Sequence, residues 1–387
     1  MTEGVALAHD YATQRGGAER VALLLADAFP GSPMYTTLHH PAGTFPEFSA
    51  LDLRTSALDR VELLRRHHRL ALPVLAPAVD RQRVDADVLV ASSTGWAHGY
   101  RGARRTVVYC HAPARWLYQR DRYLGPDEGG TGDRARRRAA ASALGVLTPA
   151  LRRWDRAAAR RADVYLANST VTRRAIREAY GIEAEVLPPP PAMLPAGEEC
   201  AVPGVEPGFL LCVARLLPYK NVDVVVEAAQ ATGRTLVVVG DGPDRGRLAA
   251  LAARTGTVHL LGRVDDATLR WVYRNAAALV AASYEDYGLT PLEAGAFGRP
   301  SVVLRDGGYL DTVVEGVTGE FFDAPRVELV AQAVESAAAR TWDHDAVTAH
   351  VATFGRERFT ARLRAVVEQE SGRASAVRAA GRDRSDR

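Results

Sequence analysis

The chain has 387 residues, of which 47% are apolar and 25% are charged, and its formal net charge at pH 7 is +3. This length exceeds one ordinary hydrophobic core, so two domains are expected, and the small net charge does not require a nucleic-acid partner. No apolar run is long enough to span a membrane, and the N-terminus does not resemble a signal peptide, so a cytoplasmic protein is expected. Three well-separated cysteines without a CxxC pair favour reduced thiols and argue against a zinc site.

The first half of the chain alternates short β-rich runs with helical patterns, which predicts a parallel sheet with crossover helices. A helix is expected at 18–29, where apolar residues recur on one face. The predicted strands are Val5–His9, Asp87–Ser92, Thr106–Cys110 and Val164–Asn168. These elements predict an N-terminal Rossmann-like domain at 1–187. The following proline- and glycine-rich stretch, 188–208, suits neither a helix nor a central strand and is expected to be a linker.

The alternation restarts after the linker, and five short apolar runs are each followed by loop residues and a helical pattern. These predicted strands are Phe209–Arg215, Thr235–Gly240, Val258–Gly262, Ala278–Ser283 and Pro300–Leu304. They predict a second doubly wound domain at 209–345. Helices at 346–370 are expected to pack partly on the N-terminal domain. The polar, aromatic-free tail at 371–387 is expected to be disordered.

Two cations follow the first predicted strand of the second domain, where ligands of such sheets lie. Arg215 and Lys220 are five residues apart on a loop, an arrangement that suits a phosphate or diphosphate. Lys220 is the only lysine of the chain. An ammonium is a compact charge, whereas a guanidinium is a planar fork, so a site shaped for one does not accept the other without moving. By itself the pair is a weak signal, because two surface cations give the same pattern.

The segment ASYEDYGLTPLEAGAFGRP carries a stronger signal. Glu285 lies on the loop after a predicted strand, and Glu293 lies in the first turns of a helix expected to begin near Pro291. A carboxylate in that position can accept hydrogen bonds from ribose hydroxyls. The backbone amides between the two glutamates point out of a helix N-terminus, which attracts anions. These amides belong to Gly288, Leu289 and Thr290. The alternative is that both glutamates are ordinary helix-start residues.

These segments resemble a known family. ARLLPYKN, VVVGDGPDRGRL, the stretch from HLLGRVDD to GRPSVV, and VTGEFF are together similar to the C-terminal domain of the family 4, retaining, GT-B glycosyltransferases. HDYATQRGGAERV and RRADVYLANSTVTRRAIREAYGI resemble the first domain, and the resemblance runs from residue 5 to about residue 367. YCHAPARWLY looks most like the mannosyltransferase-type enzymes of bacterial surface-polysaccharide assembly. The resemblance implies an α/β GT-B fold, with two doubly wound Rossmann-like domains facing across a cleft.

The resemblance also implies roles for matching residues of the second domain. Arg215 and Lys220 would bind the donor diphosphate and stabilise the leaving nucleotide, while the amides near Leu289 and Thr290 hold phosphate. Glu293 would bind the ribose. Arg263 and Val264 end a strand where the nucleotide base should lie, and Glu285 would lie at the donor sugar.

In the first domain, Gly16 and Gly17 would form a glycine-rich loop close to the donor phosphate and the acceptor, where glycine allows a close backbone approach. His111 corresponds to the family's active-site histidine near the reacting sugar; the alternative is a core histidine with satisfied hydrogen bonds. The candidate catalytic residues are therefore His111, Arg215, Lys220 and Glu285. Other histidines lack such a context and are interpreted as structural or surface residues: His9, His39, His40, His67 and His68.

The predicted reaction is metal-independent transfer of a hexose with retention, because the cations and the helix N-terminus supply the positive charge. The resemblance favours GDP-mannose as donor and a saccharide or lipid-linked acceptor. A UDP-hexose-dependent transferase, a sugar-nucleotide epimerase and a non-catalytic nucleotide-sugar-binding partner remain alternatives. Two basic segments of the first domain, 54–83 and 134–161, either contact an anionic membrane surface on the cytoplasmic face or form amphipathic core helices.

Overall fold

The computed structural model describes residues 4–119 and 147–385, and these residues form two units. The first unit comprises the described residues up to Pro188 and those from Glu357 onward, and the second comprises Pro189–Arg356. The first break therefore lies at the start of the predicted linker. In the described ranges, no helix combines the length and the apolar character that a membrane crossing requires.

The first unit is built on a seven-stranded parallel sheet with the order β3-β2-β1-β4-β5-β6-β7. Its strands are β1 Val5–His9, β2 Met34–Thr36, β3 Leu53–Thr55, β4 Val88–Ser93, β5 Arg105–Cys110, β6 Val164–Ala167 and β7 Glu185–Val186. Its described helices are Gly17–Ala28, Glu62–Arg66, Leu72–Arg81, Arg115–Tyr118, 147–159, Thr170–Tyr180 and Arg356–Ser385. The predicted bounds of β1 are confirmed, whereas the short strands β2, β3 and β7 were not predicted.

The second unit is built on a six-stranded parallel sheet with the order β10-β9-β8-β11-β12-β13. Its strands are β8 Phe209–Val213, β9 Leu236–Val239, β10 Val258–Gly262, β11 Ala276–Ala281, β12 Ser301–Leu304 and β13 Gly319–Phe322. Its helices are Val222–Ala231, Arg245–Ala252, Asp266–Asn275, Leu289–Ala296, Tyr309–Thr312, Val327–Ala339 and His344–Ala352. Both sheets therefore have the doubly wound strand order, and the predicted α/β class is confirmed.

The central strands are buried on both faces, which explains their nearly continuous apolar sequences. In β4, Val88 and Val90 pack into one core of the first unit, while Leu89 and Ala91 pack into the core on the other side of the sheet. This alternation continues to the carboxyl end of the strand, so the neighbouring Ser92 and Ser93 lie on opposite faces of the sheet.

The C-terminal segment differs from the expected disordered tail. One helix, Arg356–Ser385, continues through that segment. Phe359 and Leu363 are buried in the core of the first unit, and farther along Ala374 is fully buried. Alanine and arginine are good helix formers, so a segment without aromatic residues can still extend an anchored helix. The preceding helix, His344–Ala352, belongs to the second unit.

Candidate active site

The strand order of each sheet reverses once, between β8 and β11 in the second unit and between β1 and β4 in the first. In open α/β sheets, ligands bind beyond the carboxyl ends of the strands at such a reversal. The loops that follow these four strands are therefore the first places to look for a site.

The loop after β8 carries Arg215, and its backbone is held closely by a neighbouring loop. A Cβ on Gly240 would lie 1.9 Å from the carbonyl oxygen of Ala214, and one on Gly242 would lie 2.2 Å from that of Leu216. Only glycine fits at these two positions. The Arg215 side chain is exposed, so a fixed backbone presents a guanidinium to solvent.

Lys220 ends a single 3-10 turn, Pro218–Lys220, which is tied to the loop after β11. The next residue, Asn221, has a φ of 51°, in the left-handed region, and its Nδ2 donates a hydrogen bond of 2.8 Å to Ala282 O. Lys220 Nζ donates to Glu285 Oε1 and forms an ion pair with it. The side chains remain 12% and 24% exposed, respectively, so solvent reaches the pair.

The Glu285 side chain and backbone are both held in place. Ser283 Oγ donates to Glu285 Oε1 over 2.7 Å, and Gly308 N donates to Glu285 O over 2.7 Å. A Cβ on Gly307 would lie 2.3 Å from the same carbonyl oxygen, so this glycine was a site-forming residue that the sequence analysis missed. Burial and then the charge of Glu285 raise the pKa of Tyr309 well above its usual value, so its hydroxyl stays protonated.

The helix Leu289–Ala296 begins directly after this loop, two residues before the predicted start. Gly288, its N-cap, has a φ of 83°, and a Cβ there would lie 2.6 Å from the ring of Tyr309. The first amides of a helix have no acceptor within it. Those of Leu289 and Thr290 therefore form the kind of N-terminus that attracts an anion, close in sequence to Glu285.

Glu293 lies in the second turn of the same helix. Tyr273 Oη donates to Glu293 Oε2 over 2.6 Å, and the Tyr273 ring is stacked on Phe297 with centroids 5.5 Å apart. Burial, followed by the charge of Glu293, raises the pKa of Tyr273 well above its usual value. A permanently protonated phenol thus orients this carboxylate.

Arg263 and Val264 follow β10, at the edge of the sheet. The described contacts link this strand end to Gly240, whose amide donates to Gly262 O over 2.8 Å. Arg263 is exposed and Val264 packs against an apolar cluster of the second unit. Within the described residues, no contact joins Arg263 to the pair of Lys220 and Glu285.

Gly16 is the N-cap and Gly17 the first residue of the helix Gly17–Ala28, which begins one residue before the predicted start. A Cβ on Gly16 would lie 2.7 Å from Glu19 Oε2. Glu19 is buried, so its carboxylate occupies the space that a side chain at Gly16 would need. The φ of Gly16, −150°, is open to any residue, so a larger side chain at this position would be opposed by the contact with Glu19 and not by the backbone conformation.

His111 lies directly after β5 in a buried network of hydrogen bonds. Its Nε2 is 2.9 Å from Ser92 Oγ, and the same hydroxyl is 3.0 Å from Nδ1 of His9. Burial, and then the nearby His9 and Arg115, lower the pKa of His111 to about 3. Burial also lowers the pKa of His9, with Asp10 acting in the opposite direction. Both rings are therefore neutral near pH 7.

The network includes residues that the sequence analysis missed. Asp10, which follows His9, is buried and accepts hydrogen bonds from the amides of Thr94 at 2.6 Å, Trp96 at 3.1 Å and Ala97 at 2.6 Å. These contacts tie the loop after β1 to the loop after β4. The signal that could have identified His9 and Asp10 is their position at the end of β1, where the strand order reverses.

A further histidine contacts the loop after β1. The ring of His68 is stacked on Tyr11 with centroids 4.5 Å apart, and its Nδ1 lies 3.0 Å from Thr13 Oγ1. His68 is thus a partner of the loop that leads to Gly16, a role that its sequence context did not indicate.

Comparison with known proteins identifies the domains. The model of Glycosyltransferase Family 4 matches residues 15–190, and that of Glycosyl transferases group 1 matches residues 202–345. The D-rhamnosyltransferase WbpZ of Pseudomonas aeruginosa PAO1 is 36% identical over 101 residues, 25% of this chain and 26% of the relative. A glycogen synthase of the same organism is 33% identical over 129 residues, 31% of this chain and 25% of the relative. The chain thus spans about a quarter of these relatives' length.

The fold has counterparts among solved structures. The crystal structure of Anabaena Alr3699/HepE in complex with UDP and glucose aligns with a TM-score of 0.66 at 18% identity, over 95% of this chain and 99% of that one. Residues 15–190 are thus similar to the Glycosyltransferase Family 4 domain and residues 202–345 to the Glycosyl transferases group 1 domain, and the alignment shows that the chain has the GT-B fold.

Proposed function

We propose that the protein transfers a sugar from a nucleoside diphosphate sugar to a hydroxyl group. The observation that carries this proposal is the solvent-reachable pair of Lys220 and Glu285 beside the N-terminus of the helix Leu289–Ala296. A cation next to a helix N-terminus suits a diphosphate, and a carboxylate beside them suits the hydroxyls of a sugar. The rhamnosyltransferase, the glycogen synthase and the complex with UDP and glucose support this proposal.

In the proposed reaction, the bond from the anomeric carbon to the diphosphate oxygen breaks, and a bond to the acceptor oxygen forms. The acceptor's proton passes to the departing phosphate on the same face, which gives retention. Negative charge grows on the diphosphate as the bond breaks, so Arg215, Lys220 and the amides of Leu289 and Thr290 stabilise the transition state. Glu285 and His111 are proposed to contact the sugar, and Glu293 is proposed to contact the ribose.

The same residues support activity without a divalent ion, because they already place positive charge at the leaving group. Transfer is expected to continue in EDTA. A rate that falls with chelation and returns with Mg²⁺ or Mn²⁺ would show that a metal ion supplies part of this charge.

GDP-mannose is the proposed donor, on the strength of the YCHAPARWLY resemblance. A UDP-hexose is the second candidate, and the similar structure that holds UDP and glucose favours it. Arg263 and Val264, at the end of β10, are the residues proposed to meet the base. Competition between GDP and UDP for the same site separates the two donors.

The acceptor proposal depends on the two basic segments of the first unit, and their side chains have different environments. In the second, Arg152 and Arg156 donate to the backbone carbonyls of Leu117 and Ala179, as in an ordinary core helix, and residues 134–146 lie outside the described ranges. In the first, Leu63 and Leu70 are each 58% exposed, with Val61 and Val74 exposed nearby. We propose that segment 54–83 contacts an anionic membrane that carries a lipid-linked acceptor.

Sedimentation with vesicles tests this contact. Wild-type protein should bind phosphatidylglycerol vesicles at low salt and bind less as salt rises, and the double substitution Leu63→Ser with Leu70→Ser should weaken binding. Leu310→Ser provides a matched control, because Leu310 is 54% exposed in the second unit. Failure to bind even at low salt would reject the membrane contact but not the transferase.

A transfer assay tests the proposed function. The protein should convert labelled GDP-mannose or UDP-glucose, offered with a lipid or saccharide extract, into an acceptor-linked product, and Glu285→Ala should abolish conversion. Arg254→Ala is the control, since Arg254 is an exposed residue of the second unit. Interconversion of free nucleotide sugars would support an epimerase. Binding without turnover of either donor would support a non-catalytic partner.

A further inference from the structure

One hydroxyl group in the first unit lies between two imidazole rings. Ser92 Oγ is 3.0 Å from Nδ1 of His9 and 2.9 Å from Nε2 of His111. Ser92 is fully buried, His9 is 2% exposed and His111 is 7% exposed. His9 is the last residue of β1, Ser92 lies near the end of β4, and His111 directly follows β5. These strands are neighbours, and the three side chains lie on the same face of the sheet as Val88 and Val90.

The number of protons restricts how these groups can bond. A serine hydroxyl has one proton, so it donates to one ring and accepts from the other. If Ser92 donates to His111 Nε2, then His9 donates from Nδ1, and His111 carries its own proton on Nδ1. If Ser92 donates to His9 Nδ1, then His111 donates from Nε2, and His9 carries its proton on Nε2. In both arrangements the two neutral rings have the same tautomer.

We infer that His9 and Ser92 are positioning residues that couple the tautomer of His111 to that of His9. The carbonyl of His111 also accepts from Asn168 Nδ2 and Thr172 Oγ1, both at 3.2 Å, so the backbone that carries the ring is held as well. The ring nitrogen not bonded to Ser92 is Nδ1. Its character, donor or acceptor, is therefore tied to the tautomer of His9 through the hydroxyl of Ser92.

The functional consequence rests on the proposed transferase activity. A sugar hydroxyl can donate or accept, so a ring nitrogen with a fixed role selects one orientation of that hydroxyl. A His111 ring that exchanges between tautomers independently of His9 would hold it in the correct orientation for a smaller part of the time. Loss of one such hydrogen bond corresponds to an affinity loss of roughly threefold to tenfold for the sugar-bearing donor.

Nitrogen-15 NMR of histidine-labelled protein tests the coupling of the tautomers directly, without ligand. Wild-type His9 and His111 should show the same tautomer, Ser92→Ala should remove this shared preference, and Ser92→Thr should restore it because it keeps the hydroxyl. Ser93→Ala is the matched control, since Ser93 Oγ lies 3.1 Å from Nδ1 of a different histidine, His98. Opposite tautomers in the wild type, or tautomers unchanged by Ser92→Ala, would overturn the inference.

A binding experiment then tests the consequence separately. His9→Phe and Ser92→Ala should weaken binding of the nucleotide sugar about tenfold or less while leaving the nucleoside diphosphate within about twofold. Equal losses for both ligands would contradict a role at the sugar. If neither ligand binds the wild type, the proposed function fails, whereas the NMR result still decides the coupling.

Discussion

The two units have the same strand order, yet the loops at their reversals carry different chemistry. In the second unit, the loops after β8 and β11 present a charged pair that solvent reaches, Lys220 and Glu285. In the first unit, the ends of β1, β4 and β5 hold a nearly sealed, neutral network of His9, Ser92 and His111. The first arrangement suits a charged diphosphate, and the second suits an uncharged hydroxyl that must be oriented. Under the proposed function, one topology thus serves two kinds of recognition.

A second contrast lies within β4. Ser92 belongs to the hydrogen-bond network of His111. Ser93 lies on the opposite face of the sheet, and its Oγ is 3.1 Å from Nδ1 of His98. The Nε2 of His98 lies 3.1 Å from Asp155 Oδ1. The order serine, histidine, aspartate resembles a hydrolase triad. However, Ser93 and Asp155 are fully buried and His98 is 3% exposed, so no substrate reaches this serine. This cluster therefore stabilises the unit. Its burial, and not the residue types that it contains, distinguishes it from a functional site.

The largest expected effect comes from a substitution in the buried cluster of Ser93, His98 and Asp155. Asp155→Ala removes a buried carboxylate that contacts His98 and accepts a hydrogen bond of 2.8 Å from Tyr118. The free energy of unfolding should fall by about 1–3 kcal/mol for each partner left unsatisfied, because these polar groups lose their pairing. Chemical denaturation measures the change, with exposed Asp323→Ala as the control. If Asp155→Ala unfolds like the wild type and instead abolishes catalysis, the cluster is functional.

The pH dependence of stability should reveal the neutral network. Since burial lowers the pKa of His111 from 6.5 to about 3, the unfolded chain binds a proton between these values that the folded chain does not. Stability from this group is present above pH 6.5 and is lost as pH falls toward 3, by up to about 1.4 kcal/mol per pH unit. His111→Gln should show a shallower loss than the wild type in denaturation at pH 6.5, 5.5 and 4.5.

Substitution of the exposed histidine His67 is the control for that experiment, because it should leave the slope unchanged. Identical slopes for wild type and His111→Gln would show that His111 takes up a proton in the folded state. The contrast between a charged and a neutral reversal would then be wrong.

The smallest expected effect is on the binding of a nucleoside diphosphate by the charged pair of Lys220 and Glu285. Glu285→Gln removes the partner that holds Lys220 and leaves a side chain of similar shape. Since a partly exposed ion pair is worth about 0.2–1 kcal/mol, a nucleoside diphosphate should bind up to about fivefold more tightly. Transfer should nevertheless fall, because the carboxylate that is proposed to bind the sugar is lost. Weaker binding of the diphosphate, measured by calorimetry, would mean that Glu285 positions Lys220 for its ligand.

Much of this could be predicted from the sequence, for identifiable reasons. The buried central strands give continuous apolar runs, and Glu285 with Glu293 stands in a strand-loop-helix pattern that few structural segments share. By contrast, β2 and β3 have three residues each and leave almost no pattern. His9 was missed because its hydrogen-bond network joins three strands that are far apart in the sequence, so no local pattern indicates it. The tail was mispredicted because its helix depends on the upstream anchor at Phe359 and Leu363.

The most direct test of the central claim is calorimetric titration of the protein with GDP and with UDP in EDTA, repeated with Lys220→Ala, Lys220→Arg and the control Arg254→Ala. One of the two nucleotides should bind the wild type and Arg254→Ala equally. Loss of a charge-assisted bond worth roughly 1.5–3 kcal/mol predicts a decrease in affinity of at least about tenfold in Lys220→Ala, with Lys220→Arg failing to restore it fully. Binding that is absent for both nucleotides, or indifferent to Lys220, would contradict the diphosphate site.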